Sequence, residues 1–337
     1  MTESPAFDFR TPASRARRRS VSVGGLVLVS LVTTLTLPLW VPLVVLIDLV
    51  TGARRLALTR LTLFGWAWSL IEIAGLIAAL VSFMRGRALD HPTQYRLMGW
   101  WASVLMRAMA SALAIRPEVH GAEHLRSGHA IVLCRHASLA DSLFSAWAIR
   151  VIAGVNPRYV LKRELLGDPC LDVVGLRVPN HFVDRSAVDS SADLAALEGL
   201  AAGLDADSVV VIFPEGTRAN ARKRERALAS IAAADPERRA RLDGLRCLLP
   251  IRPSGTLALL RGAPEADLVF AWHTGFDGLD TFGGIYRRLR DGGRDAIFVA
   301  SRVRRAEVPD ERVLEWLDER WLRMDAEVAE RLGLRHE

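Results

Sequence analysis

The sequence predicts an α/β domain, a sheet flanked by helices, preceded by an N-terminal membrane segment of two helices. Three observations carry this. From Ile115 onward, apolar runs of strand length alternate with longer helix-length segments, the pattern of a largely buried sheet. Ser20 to Ile47 holds no charged residue, and Leu61 to Met84 is broken only by Glu72. Each run exceeds the ~20 residues a helix needs to span a bilayer.

Residues 1–92 form a polar, basic tail and a membrane hairpin. Arg15, Arg17, Arg18 and Arg19 end the tail. A signal peptide is the competing reading, but the first apolar run is too long and no small-residue cleavage site follows it. Pro38 and Pro42 predict a kink or turn inside the first run. The link from Thr51 to Arg60 carries Arg54, Arg55 and Arg60, and Arg85 and Arg87 follow the second run. Basic residues thus flank every apolar segment, so the positive-inside rule leaves two crossings and a one-leaflet hairpin both open. Either topology keeps the C-terminal domain on the side of the N-terminus. Glu72 is costly in lipid and is expected against the other helix or a polar cavity.

Residues 93–115 are expected to form an interfacial amphipathic helix. Leu97, Trp100, Trp101, Val104, Leu105 and Ala108 share one side, while Arg96 and Arg107 share another. A core helix of the following domain is the alternative.

Residues 116–337 then form the α/β domain. Strands are predicted at Ile115–His120, Ala130–Cys134, Arg158–Lys162, Ser208–Phe213, Leu248–Ile251, Leu268–Trp272 and Ala296–Ala300. Helices are predicted at Ser142–Val151, Ala192–Leu204, Arg222–Ala234, Gly255–Arg261 and Glu311–Leu332, with Asp310 starting the last.

The formal charge is +6, carried almost wholly by arginine, because Lys162 and Lys223 are the only lysines. Such a surface suits phospholipid headgroups, a phosphorylated substrate or nucleic acid. Cys134, Cys170 and Cys247 have no paired spacing, which suggests neither a zinc site nor a disulfide framework.

The chemistry centres on Arg135-His136-Ala137-Ser138-Leu139-Ala140-Asp141, between an apolar run and a second one. Five residues along a helix turn through roughly 140°, which would hold His136 and Asp141 apart. A strand-to-helix corner removes that objection, and an imidazole held by a carboxylate is a general base with a fixed tautomer. The competing reading makes Ser138 to Asp141 a capping box, with Asp141 bonding back to the cap residue. Both stay open on sequence.

Three further stretches pair acids with bases: Lys162-Arg163-Glu164, Phe182-Val183-Asp184-Arg185, and Phe213-Pro214-Glu215-Gly216-Thr217-Arg218. A glycine at 216 allows a tight turn and close backbone approach to a ligand. The Arg218 fork suits phosphate. Each stretch alone is as consistent with a surface salt bridge.

Together, in this order, the blocks resemble the glycerolipid acyltransferase family, in particular the 1-acyl-sn-glycerol-3-phosphate and lysophospholipid acyltransferases. The resemblance covers about residues 95–265. It departs at Ala219 to Glu225, where bacterial members usually carry a glycine-bearing Phe-Lys segment, and this bears on the acceptor rather than the reaction class.

The resemblance implies a glycerolphosphate-acyltransferase-like sheet and catalysis by His136 and Asp141. It implies substrate binding by Lys162, Arg185, Glu215, Gly216, Thr217 and Arg218, and no metal or cofactor. Acyl-CoA or acyl carrier protein would be the co-substrate and a lysophospholipid, first 1-acyl-sn-glycerol-3-phosphate, the acceptor. The expected partner is a phospholipid membrane and not nucleic acid, with the catalytic domain on the cytoplasmic face of the cell membrane. Another lysophospholipid or a glycolipid is the nearest alternative acceptor, and a membrane-tethered hydrolase the alternative class. Neither Ser138 nor Cys134 sits in a nucleophile-elbow sequence, so no covalent acyl-enzyme is expected.

Overall fold

The computed structural model describes residues 12–53, 55–183, 191–292 and 295–334. The chain begins with α1 (Pro12–Leu35), α2 (Leu37–Val50), α3 (Ala57–Met84) and α4 (His91–Leu113). The α/β domain follows as β1 (Pro117–His120), α5 (Glu123–Arg126), β2 (Ala130–Cys134), α6 (Asp141–Ala146), β3 (Asn156–Lys162), α7 (Pro169–Val173) and β4 (His181–Val183). Next come α8 (Ser191–Ala202), β5 (Ser208–Ile212), α9 (Ala221–Ala234), α10 (Pro236–Arg241) and α11 (Pro253–Gly262). The last elements are β6 (Asp267–Thr274), α12 (Phe282–Asp291), β7 (Ala296–Val303) and α13 (Val313–Arg331).

The strands form one mixed sheet in the order β1-β7-β6-β2-β5-β3-β4. All neighbouring pairs are parallel except β6 and β7. The central strand β2 shows why the sheet is buried on both faces. Ala130, Val132 and Cys134 belong to the core on one side, while Ile131 and Leu133 belong to the core on the other. The chain passes from β2 beyond β5 to β3, and later from β5 back across β2 to β6. The carboxyl end of β2 therefore lies where connections depart in opposite directions, the usual place for a ligand crevice in an open α/β sheet.

Two helices, Ala13–Leu35 and Ala57–Met84, are long and apolar enough to cross a membrane, and both leave large apolar side chains exposed. The break between α1 and α2 falls inside the apolar run at Thr36, two residues before Pro38. Pro38 occupies the first turn of α2, where its missing N–H costs nothing, and Pro42 lies within the helix. Asp48 locks the α2–α3 turn: its buried carboxylate accepts from Leu58 N, Thr59 N and Thr59 Oγ1. Arg54, in the same turn, lies outside the described residues.

α3 packs against α4, α7 and α12, so the apolar segment is part of the same body as the sheet. Glu72 is buried and accepts from Trp68 Nε1 at 3.0 Å and Trp101 Nε1 at 2.9 Å. It faces α4 and the start of α7, through Cys170 N, rather than another helix of the hairpin. At the start of α1, Arg18 makes a two-pronged pair with buried Asp172, and Arg19 donates to the Asp172 carbonyl.

On one face of α4, Ala102, Met106, Met109 and Leu113 enter the domain core, while Trp101 on another face bonds to α3. The helix lies against α3, α6 and the segment Trp147–Ile152, and Trp100 alone of the two tryptophans stays exposed.

Leu248–Ile251 is not a strand. Its backbone donors are taken by side chains: Asp325 of α13 accepts from Arg246, Cys247 and Leu248, and Glu215 accepts from Leu249. β4 and α12 were not foreseen. The last helix starts at Val313, since Asp310 pairs with Arg305 at 2.6 Å instead of capping.

We expect Asp325→Ala to leave buried N–H groups without an acceptor and to cost ~2–5 kcal/mol of stability, read by denaturant unfolding. A loss below about 0.5 kcal/mol would show that the 246–248 segment finds other acceptors.

Candidate active site

β2 ends at Cys134, and the next two residues turn the chain across the top of the sheet. Arg135 N still bonds to Ala271 O of β6, and its buried guanidinium spans to His273 O at 2.5 Å and Asp277 at 2.7 Å. His136 N donates to Glu215 Oε1 at 2.6 Å, and Ala219 N donates to His136 O at 2.7 Å. The His136 backbone is thus held on both its N–H and its carbonyl by the segment following β5, while Arg135 before it is still tied to β6.

His136 Nδ1 lies 2.8 Å from Asp141 Oδ2. The strand-to-helix corner brings together two side chains that a continuous helix would separate. The same carboxylate accepts from Ala137 N at 2.6 Å, from Ser138 N at 3.0 and 2.9 Å, and from the Ser138 hydroxyl. Asp141 bonds back to Ser138 as the capping reading expected, but it closes the corner ahead of α6 rather than the helix's first turn, and with the same carboxylate it holds the imidazole. The helix continues from α6 into a wider π turn at Trp147–Ile152.

Electrostatics follow from burial. Burial would push the Asp141 carboxyl up, but the nearby His273 and His136 outweigh it and hold the group well below the usual carboxylate range. An ionised Asp141 can only accept, so His136 Nδ1 carries a proton and Nε2 keeps its lone pair. Burial pushes the His136 imidazolium below its ordinary value; Asp141 opposes this, and the Lys162 and Arg218 charges add to it. The ring is 13% exposed and lies against Phe213, centroids 4.9 Å apart.

The remaining sequence candidates fall into three groups. Lys162, at the end of β3, and Arg218 are half-buried cations close enough to act on His136. Arg218 also reaches Asp280 O at 3.4 Å. Glu215 is not at the open cleft. It is 1% exposed behind the dyad, accepting from His136 N and from Leu249 N at 2.8 Å, and burial pushes it up to about 8. Gly216 has φ +69°, and a Cβ there would meet the Arg252 side chain at 2.9 Å, so the position favours glycine. Thr217 accepts from Lys223 Nζ, which also bonds to Arg218 O. Arg185 lies outside the described residues.

Neither nearby nucleophile is armed. Cys134 is fully buried and its thiol is pushed well up, chiefly by burial and then by Asp141 and Glu215. The Ser138 hydroxyl is buried and points at Asp141. His273 and the Arg135–Asp277 pair escaped sequence reasoning. His273 sits one residue past an apolar strand-like run, and a polar residue at that position was its only signal.

Beside the dyad turn opens an apolar cavity of about 760 Å³. Leu139, Ala140 and Leu143 line it from the dyad turn, Trp101 and Leu105 from α4, and Phe282 from α12. Of these, Leu139 and Phe282 are also exposed to solvent.

Residues 116–235 match the family described as Acyltransferase. Among solved structures, the crystal structure of the 1-acyl-sn-glycerophosphate (LPA) acyltransferase, PlsC, from Thermotoga maritima is similar at 17% identity and a TM-score of 0.48, covering 80% of this chain and 97% of that one. No curated protein sequence matches the chain.

Glu215→Gln tests the buried support. A glutamine offers one oxygen where two N–H groups need acceptors, so we expect a loss of ~1–3 kcal/mol in unfolding free energy. Stability equal to that of the unaltered protein would show that Glu215 does not hold the two segments together.

Proposed function

We propose, from the match of residues 116–235 to the acyltransferase family model, that this protein is a membrane-bound enzyme moving a fatty acyl group from acyl-CoA or acyl carrier protein to the free hydroxyl of 1-acyl-sn-glycerol-3-phosphate. The product is phosphatidic acid. The observation that carries the reading is the His136–Asp141 contact at 2.8 Å in a turn whose Leu139 and Ala140 line an apolar cavity.

The chemistry follows from the geometry. His136 Nε2 takes the proton of the acceptor hydroxyl as that oxygen attacks the thioester carbonyl. Asp141 holds the ring and stabilises the imidazolium that forms, as in other histidine–carboxylate pairs. The tetrahedral intermediate collapses, the carbon–sulfur bond breaks, and the departing thiolate takes the proton back from His136. No residue is acylated, in keeping with the buried, bonded Ser138 and the unionised Cys134.

The cavity falls within the ~300–1,000 Å³ range of ligand pockets, and its lining suits an acyl chain. Lys162 and Arg218 supply cations for the acceptor's phosphate, with Arg185 assigned there by the family resemblance. Exposed apolar residues on α1, α2 and α3 support retention in a membrane. The pairing of Arg18 and Arg19 with Asp172 favours the start of α1 on the side of the catalytic domain, which we assign to the cytoplasmic face, where acyl-CoA is made.

The test is purified protein with acyl-CoA and a panel of lysophospholipids, followed by mass spectrometry and thiol release. Transfer gives acceptor-dependent thiol release and a diacyl product. Hydrolysis gives free fatty acid without acceptor and would overturn the reading. His136→Ala is expected to lose ~10²–10⁴-fold in turnover, and retention of more than about a tenth would remove the general base. The pH profile of kcat/KM carries a sign. His136 acts neutral and its pKa is lowered by burial, so activity holds as pH falls past the ordinary histidine value of about 6.5 and is lost only below it. An acid limb centred above 6.5 would contradict that environment.

A further inference from the structure

Behind Asp141, on the side away from His136, lies a second histidine. His273, near the end of β6, is fully buried, and its Nε2 is 3.2 Å from Asp141 Oδ1. Oδ1 is the oxygen that His136 does not use; His136 takes Oδ2. Neither nitrogen of His273 makes a well-aligned hydrogen bond to protein, so the contact with Oδ1 is close but off the ideal line. Phe144 and Phe276 stand edge-on to the ring at 5.9 and 6.4 Å. Arg135 Nη1 fixes the His273 carbonyl.

A buried imidazole without an aligned partner is costly, and chain packing alone would be better served by an apolar side chain. Such a group is expected where function demands it. The polar group the ring approaches is the Asp141 carboxylate, at 3.2 Å. His273 also lies outside residues 116–235, so the family match assigns it nothing.

We propose that His273 is a positioning residue for the dyad: its Nε2–H faces Asp141 Oδ1, fixing the carboxylate's rotation so that Oδ2 is presented to His136 Nδ1. Asp141 is then gripped from two sheet-borne histidines, one after β2 and one on the neighbouring strand β6. The low position of the Asp141 titration agrees with this, since after burial His273 is the foremost influence on it, acting to keep it charged. The positive end of the His273 N–H also moderates the carboxylate's pull on His136. The other charged groups acting on His136 are Lys162 from β3 and Arg218 from the turn after β5. Arg135 and buried Glu215 complete the charged surroundings of the dyad.

The kinetic arm of the test rests on the acyltransferase reading, and a spectroscopic arm does not. Three full-length variants are compared in detergent: His273→Phe, His273→Gln and His273→Asn. Phenylalanine keeps the aromatic packing and removes the nitrogens. Glutamine places an amide N–H near the former Nε2, and asparagine is too short to reach Oδ1. We expect His273→Phe to lower kcat by about tenfold or more while both KM values stay within about twofold, with glutamine recovering more of kcat than asparagine. The acid limb of the pH profile should move to higher pH in His273→Phe, because the carboxylate loses its competing partner. Melting curves identify a variant that fails to fold, and the glutamine–asparagine contrast then decides.

In parallel, histidine-labelled protein is titrated by NMR, with His136 assigned from His136→Ala. The His136 midpoint should rise in His273→Phe and lie nearer the unaltered value in His273→Gln. An unchanged midpoint, or kcat within about twofold in a folded His273→Phe, would overturn the proposal. If the unaltered protein transfers no acyl group to any acceptor, the functional reading fails, and the NMR titration still decides the role of His273.

Discussion

The site depends on one buried carboxylate. Asp141 is fully inaccessible, and a charge so placed costs several kcal/mol unless its oxygens are met by donors. Here they are met from the dyad turn itself: by Ala137 N, Ser138 N, the Ser138 hydroxyl and His136 Nδ1. These bonds fold the chain leaving β2 into a tight corner, so the group that orients the imidazole also builds the turn that displays it. Glu215 does the complementary job from below, tying the His136 backbone to the 249 segment. Two buried acids, one ionised and one pushed toward neutrality, thus divide the work: Asp141 sets the ring and Glu215 sets its backbone.

The surrounding architecture explains why the corner sits where it does. β2 lies between β5 and β6, with connections leaving to either side, so three strand ends converge on one place. Each contributes: β2 leads to the dyad, β5 leads to Glu215 and Arg218, and β6 carries His273. On the same face, α3 and α4 close over the sheet and create the apolar cavity. Glu72, bonded to a tryptophan on each of those two helices and to Cys170 of α7, links the apolar N-terminal segment to the body that holds the site.

Much of this was legible in the chain. β2 and β5 come from continuous apolar runs, whose both-sided burial leaves no alternation to misread; β2 has the expected ends, and β5 stops one residue short, at Ile212. The turn could be placed because His136 and Asp141 lie between two such runs. What the sequence concealed was which partner a polar group would choose. Asp325 and Glu215 supply acceptors to backbone 78 and 34 residues away, which removed the need for a strand at 248–251. Glu215 looked like a ligand group because its neighbours, Gly216 and Arg218, face the open side. α4 read as interfacial or as a core helix, because a helix packed on two sides carries apolar residues around most of its circumference, as a bilayer-bound one does. His273 had no motif at all, and only the pairing of β6 with β2 brings it to Asp141.

The central claim is that an ionised Asp141 fixes His136 with its proton on Nδ1 and its lone pair on Nε2. Nitrogen-15 NMR of histidine-labelled protein at about pH 7.5, above the ordinary histidine range, reads the tautomer directly. The account predicts a neutral His136 with a protonated Nδ1 that exchanges slowly with solvent, and loss of that signature in Asp141→Asn. A His136 protonated on Nε2, or an imidazolium at that pH, would contradict it.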